Sequence, residues 1–212
     1  MRIPKQIALG LSLLAAPYTV HAAPLTGSID FTGLFQGTDA SGTNVRLADA
    51  VASDFCANVF GECVKGGGGA FLVNEVDASG NMPVAAGDFG AIQDFNFASF
   101  AGPIMDFFAV GGLIFDLVNV TYTQFSVPPA GQGASETDYL LISGAGTLRA
   151  AGFDDTPGTF TFSGQSDGVN LLGSFTFSGG SAALPVPVPA PAGFALLGAG
   201  LLGLSLLRWR AV

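Results

Sequence analysis

Few residues in this chain could do chemistry. A single histidine, His21, and two cysteines, Cys56 and Cys63, stand in 212 residues. His21 falls inside an N-terminal stretch that reads as a removable leader, so the mature chain is expected to contain no histidine. Without imidazole there is no Ser-His-Asp or Cys-His relay, and no His-ligated zinc or iron. Cys56 and Cys63 enclose only Ala57 to Glu62. In an exported chain an even pair this close reads as one disulfide, which also removes the thiolate nucleophile. The competing reading is a reactive dithiol, although redox pairs usually show Cys-x-x-Cys spacing.

Carboxylate chemistry remains open, because a glycosidase needs only two Asp or Glu at a fixed separation. The chain offers sixteen acids, and no spacing singles out a pair. Asp154-Asp155-Thr156-Pro157-Gly158 is the most site-like cluster, yet Asp-Thr-Pro-Gly before a strand is ordinary turn chemistry. Gly66 to Gly69 is followed by no Gly-Lys-Ser/Thr and has the wrong spacing for a dinucleotide fingerprint, so it reads as a connector. Neither an Asp-x-Asp-x-Asp-Gly loop nor a repeated Gly-Gly-x-Gly-x-Asp motif occurs. The sequence therefore assigns no catalytic residue, no metal ligand set and no cofactor.

Charge narrows the partners. Of seven basic residues, Arg2, Lys5, Arg208 and Arg210 sit at the ends, leaving Arg46, Lys65 and Arg149 against all sixteen acids. Such a body repels nucleic acid and anionic lipid, which need clustered Lys and Arg. Two readings of the acidity stand: solubility for a Gly- and Phe-rich surface protein, or divalent-cation binding.

The ends are more specific. Arg2 and Lys5 form a short positive region, Ile7 to Ala16 an apolar stretch too short to span a bilayer, and Val20-His21-Ala22 a small-residue cleavage pattern. The cut is expected between Ala22 and Ala23 after passage through the Sec translocon, giving a signal peptide over residues 1–22. At the other end, Leu184 to Ala192 alternates proline with small or apolar residues and favours an extended, polyproline-like backbone. Gly193 to Leu207 carries no charge. From Ala190 the uncharged stretch reaches 18 residues, near the lower limit for a membrane-spanning helix. Arg208-Trp209-Arg210 follows, two cations and an interfacial aromatic, which by the positive-inside rule stay cytoplasmic with the body outside.

The order Val-Pro-x-Pro-Ala, apolar helix, Arg cluster resembles the PEP-CTERM sorting signal, in the variant whose signature is Val-Pro-Leu-Pro-Ala. Val186, Pro187, Val188, Pro189 and Ala190 match that signature with Val188 in place of Leu. Val188 to Ala192 forms an overlapping second match, and the Arg run is sparser than is usual in the family. The resemblance implies a transient hold in the inner membrane and cleavage near the proline motif by an exosortase-type membrane protease. Release to the cell surface or extracellular matrix would follow, with an association with exopolysaccharide or biofilm. Gly144 through Ser163 also resembles a stretch common in bodies of this sorting family. A permanent C-terminal anchor is the alternative. A GPI-type signal should end without the cations Arg208 and Arg210.

The elements between the ends read as strands. Ser28–Phe35 alternates, followed by Ala70–Val76, Phe95–Phe100, Leu113–Val118, Val120–Phe125, Tyr139–Ser143 and Gly146–Arg149. Gly158–Gly164 and Gly173–Gly179 are near copies with Phe/Thr alternation, the strongest half-buried strand signal in the chain. Arg46–Phe55 reads as one short helix capped by Thr43 or Asn44. The expected architecture is a single all-β domain over residues 23–184, a β-sandwich or jelly roll, followed by the sorting segment 185–212. The expected function is a noncatalytic surface or matrix protein. A carbohydrate-binding module is the alternative, weakened by the scarcity of Trp and Tyr: Trp209 lies in the tail, and only Tyr122 and Tyr139 stand in the body.

Overall fold

The computed structural model describes residues 22–57, 63, 68–129, 131, 135–167 and 172–181. The leader up to His21, Lys65, the sorting motif Val186–Ala190 and the cluster Arg208, Trp209 and Arg210 lie outside the described residues.

The body is all-β. Its strands are β1 (Ala23–Pro24), β2 (Ser28–Thr38), β3 (Ala52–Phe55), β4 (Gly69–Val76), β5 (Phe89–Ile92) and β6 (Phe95–Asn96) in the first half. The second half adds β7 (Ile104–Val110), β8 (Leu113–Val127), β9 (Thr137–Ala150), β10 (Phe153–Asp154), β11 (Thr156–Ser166) and β12 (Leu172–Ser181). Eight strands hydrogen-bond in the order β2, β4, β5, β7, β8, β9, β11, β12, and β12 returns to β2 from Leu172↔Gln36 to Gly180↔Ser28. Every pairing in this ring is antiparallel, and these eight strands close on themselves. The order around the ring is the order along the chain. That is an up-and-down meander, whereas a jelly roll is built from two Greek keys. β3 and β6 are excursions from it: β3 takes over pairing with β2 at Phe35–Thr38, beyond the end of β4, and β6 pairs with β3.

An eight-stranded barrel has an interior that side chains can fill, and here phenylalanine fills it. Phe31, Phe35, Phe55, Phe71, Phe107, Phe108, Phe115 and Phe175 are all almost fully buried, with Phe160 and Phe162 beside them. Each buried ring contributes roughly 1.5–3 kcal/mol of hydrophobic stabilisation. The rings fit because glycines face them across the ladders: Gly33 opposite Phe175, Gly173 opposite Phe35, Gly90 opposite Phe71, Gly144 opposite Phe160. A Cβ on Gly173 would come within 2.8 Å of Phe35 Cε1. The high Gly and Phe content is thus one packing device, in which aromatic rings cover the backbone left bare by glycine.

The two near-copy segments are β11 and β12, neighbours in the barrel with Phe162 opposite Phe177. The rings of Phe162 and Phe175 stack at 5.2 Å. The helix expected over Arg46–Phe55 is corrected. Only Leu47–Asp49 forms a 3₁₀ turn, and Ala52–Phe55 is strand β3. Isolated short helices are marginal in water, and pairing with Phe35–Thr38 claims the second half of this segment.

Candidate functional site

Period-two alternation that sends Phe160 and Phe162 inward sends Thr161 and Ser163 outward. The same holds on the neighbouring strands, and the register lines the outward residues into rows across five strands. One row is Thr121, Ser143, Thr161, Ser178 and Asp30. The next is Thr123, Leu141, Ser163, Thr176 and Thr32, and the third is Phe125, Tyr139, Gln165, Ser174 and Leu34.

This face is not flat. A hollow of about 520 Å³ lies over the first two rows and is also lined by Asn74. A second hollow, about 500 Å³, lies over Tyr139, Gln165, Ser174 and Leu34. Within the first, Asp30 Oδ1 is buried and has no hydrogen-bond partner. Thr32 Oγ1 donates to Asn74 Oδ1 at 3.4 Å. Beside the second, the rings of Phe125 and Tyr139 stack at 5.0 Å with an interplanar angle of 13°. The face therefore offers neutral hydroxyl and amide groups and an aromatic platform. Tyr122 does not join it. Its neighbour in register is the buried Ile142, and its ring lies 5.0 Å from Phe97.

A second polar cluster lies where β3 meets β6. Asp94 accepts hydrogen bonds from Phe55 N at 2.7 Å and Gly68 N at 3.3 Å. Burial pushes its carboxyl up to about 6. The two backbone donors oppose that rise and the adjacent Asp54 adds to it. Asp54 is only 5% exposed and its Oδ1 lacks a partner. Both carboxylates line a cleft of about 280 Å³ with Thr38 and Asn96.

Both described arginines are committed to the scaffold. Arg149 grips Asp116 through Nε (2.6 Å) and a terminal nitrogen (2.8 Å), and reaches Asp106 at 2.6 Å. Asp116 also accepts Asp106 N at 2.8 Å, which holds a β7 bulge where Asp106 has φ of 54°. The Arg149 hydrogen bond is the main cause that draws Asp116 below the usual carboxylate range, against the opposing effect of burial. Arg46 binds Asp138 at 2.7 Å and Glu136 at 2.8 Å, while Ser126 Oγ donates to Asp138 at 2.7 Å. Burial alone would raise Asp138, but the hydrogen bonds from Arg46 and Ser126 outweigh it and leave it lowered.

Of the residues singled out in sequence, Cys56 and Cys63 form a disulfide. Cys56 is fully buried at the end of β3, where its N donates to Leu34 O and its O accepts from Ala70 N. Ala23, the residue after the expected cut, already pairs with Phe153 in the β1–β10 ladder. Asp154 and Asp155 are exposed at the junction of β10 and β11, and Thr156 Oγ1 donates to Asp154 O at 2.9 Å. Sequence reasoning did not find Asp30, Phe125 or the Asp54–Asp94 pair. The outward Thr and Ser of the near-copy segments were the available signal for the outer face. For Asp54 and Asp94, 40 residues apart and joined only by the fold, there was none.

The fold defines a small closed β-barrel with an aromatic-filled interior and a hydroxyl-rich outer face. Neither a family model, nor a curated protein, nor a solved structure matches this chain. Among the described residues no helix is long and apolar enough to cross a membrane, which says nothing of strands.

Proposed function

We propose that the chain is an exported, noncatalytic surface or extracellular-matrix protein, sorted through its C-terminal segment by an exosortase-type membrane protease. The observation that carries this reading is the disulfide Cys56–Cys63, built into the barrel wall of a chain whose two ends resemble export signals. Structural disulfides form and persist in oxidising compartments. The ordered pairing of Ala23 supports a mature chain that begins there, because the first residue after the cut already belongs to the fold. Deleting the exosortase-type protease in the native host tests the sorting. The full-length chain is expected to accumulate in the inner membrane, and undiminished release would contradict the proposal.

The outer face favours a second reading within the first: the barrel adheres to a neutral polysaccharide of the matrix. Sugar rings present apolar faces to aromatic platforms and hydroxyls to polar groups. The stacked Phe125–Tyr139 pair and the hydroxyl rows supply both. With three cations against sixteen acids the body disfavours an acidic glycan. Affinity electrophoresis in gels cast with neutral or acidic polysaccharides tests this reading. Retardation by a neutral glycan, reduced about two- to tenfold in affinity by Tyr139→Ala, is the expected result; each lost stacking contact is worth roughly 0.5–1.5 kcal/mol. Equal retardation of parent and variant would contradict it.

A further inference from the structure

The cleft between β3 and β6 has a feature that neither the scaffold nor the outer face explains. Two carboxylates, Asp54 and Asp94, are brought against each other from different parts of the chain. Asp54 is 5% exposed, and its Oδ1 is buried with no hydrogen-bond partner in the cleft it lines. A buried carboxylate oxygen left bare carries an uncompensated desolvation penalty, and orphaned groups of this kind mark the place of a water or an ion. The neighbours are hard oxygen donors. Thr38, 5% exposed, pairs in register with Ala52, and Ala52 with Asn96, which puts Thr38 and Asn96 on one face of the short β2–β3–β6 sheet. The Asn96 carbonyl accepts one bond, from Ser99 N at 2.7 Å, and retains a lone pair.

We propose that this cleft is a calcium-type divalent-cation site in which Asp54 and Asp94 are the anionic ligands and Thr38 and Asn96 supply neutral oxygens. The charge balances, two carboxylates against one dication. The donor set is all oxygen, which suits calcium or magnesium and disfavours zinc, because both cysteines are engaged in the disulfide. A cleft of about 280 Å³ holds an ion together with several waters, since each water takes about 30 Å³. Calcium, with six to eight flexible ligands, fits a site that is part protein and part water better than magnesium, which demands a near-ideal octahedron. The consequence is mechanical. β6 is held to β3 by two residue pairs, and Asp94 is the group that also takes the backbone N–H of Phe55 and Gly68. An ion bridging Asp54 and Asp94 ties together β3, β6 and the start of β4 beside the disulfide. This inference does not depend on the sorting or glycan readings.

Equilibrium dialysis of the full chain, stripped with chelator and held at fixed ionic strength, tests it with calcium alone as the probe. The expected result is one saturable ion per chain, with a dissociation constant in the range of extracellular modules, about 10⁻⁴–10⁻³ M, and a higher melting temperature in calcium than in chelator. Asp54→Asn keeps the shape and removes one charge. It is expected to weaken binding at least about tenfold while melting no lower than the parent in chelator, because it relieves a like-charge pair. Asp155→Asn, exposed on the β10–β11 link, is expected to bind as the parent does. Absence of saturable binding up to about 10 mM calcium would overturn the proposal, as would unchanged affinity in both Asp54→Asn and Asp94→Asn, or an equal loss in Asp155→Asn.

Discussion

Phe175 on β12 lies directly across the ladder from Gly33 on β2, and on its other side from Gly164 on β11. A Cβ placed on Gly33 would stand 2.7 Å from Phe175 Cε1. This β12–β2 contact is also the seam at which the barrel closes.

Gly33→Ala is therefore expected to destabilise the barrel by about 1–3 kcal/mol, the usual cost of overpacking. Phe175→Ala should cost about 3–5 kcal/mol through the cavity it leaves. Urea unfolding of the two variants checks both values. A neutral Gly33→Ala would mean that the seam is looser than the geometry states.

Asp116→Asn removes the bidentate partner of Arg149 and weakens the grip on the β7 bulge at Asp106. Hydrogen bonds to charged groups contribute about 1.5–3 kcal/mol, and Arg149 is one-third exposed. A loss of about 2 kcal/mol is expected, read from the shift in denaturant midpoint.

The pH profile should carry two opposite signatures. In calcium-free protein the folded pKa of Asp94, about 6, lies above the ordinary aspartate value of 3.8, so between them the folded state binds the extra proton. Stability is therefore gained as pH falls from 7 towards 5, by about 1 kcal/mol once solvent screening of this half-buried group is allowed for. Asp116 and Asp138 are shifted the other way. Their contribution is fully present above 3.8 and is lost as pH falls through their lower folded values. Thermal melts across pH 3–7 in chelator are expected to show a maximum at roughly pH 4–5, and Asp94→Asn should remove the rise between 7 and 5.

Reduction of Cys56–Cys63 opens a short loop. In the chain-entropy account this costs about 2 kcal/mol, so dithiothreitol should lower the melting temperature without unfolding the barrel at room temperature. Complete unfolding on reduction would show that the bond holds more than the β3–β4 connection.

The legible part of the fold was the part with clean periodicity. β2, β11 and β12 alternate, and the structure places them side by side, each somewhat longer than its apolar run. β8 read as two strands because the shift between Leu117 and Asn119 breaks the period while the backbone pairing continues. β7 escaped notice for the same reason, its register shifting between Ile104 and Phe108. β3 falls within the segment that reads as a helix capped by Thr43 or Asn44, and only pairing with β2 and β6 overrides that reading. Closure by β12 on β2 joins residues some 140 apart, which local pattern cannot carry. The candidate sites divide in the same way. Outward Thr161 and Ser163 follow from alternation, whereas Asp30 and Asp54 acquire their buried, unpartnered oxygens only from the folded surroundings.

The most direct test of the central claim is the intact mass of the protein from its native host, taken from membrane and released fractions. The expected result is a released form that begins at Ala23, ends within 186–192 and keeps Cys56 and Cys63 oxidised. A form found only in membranes and still ending at Val212 would contradict it.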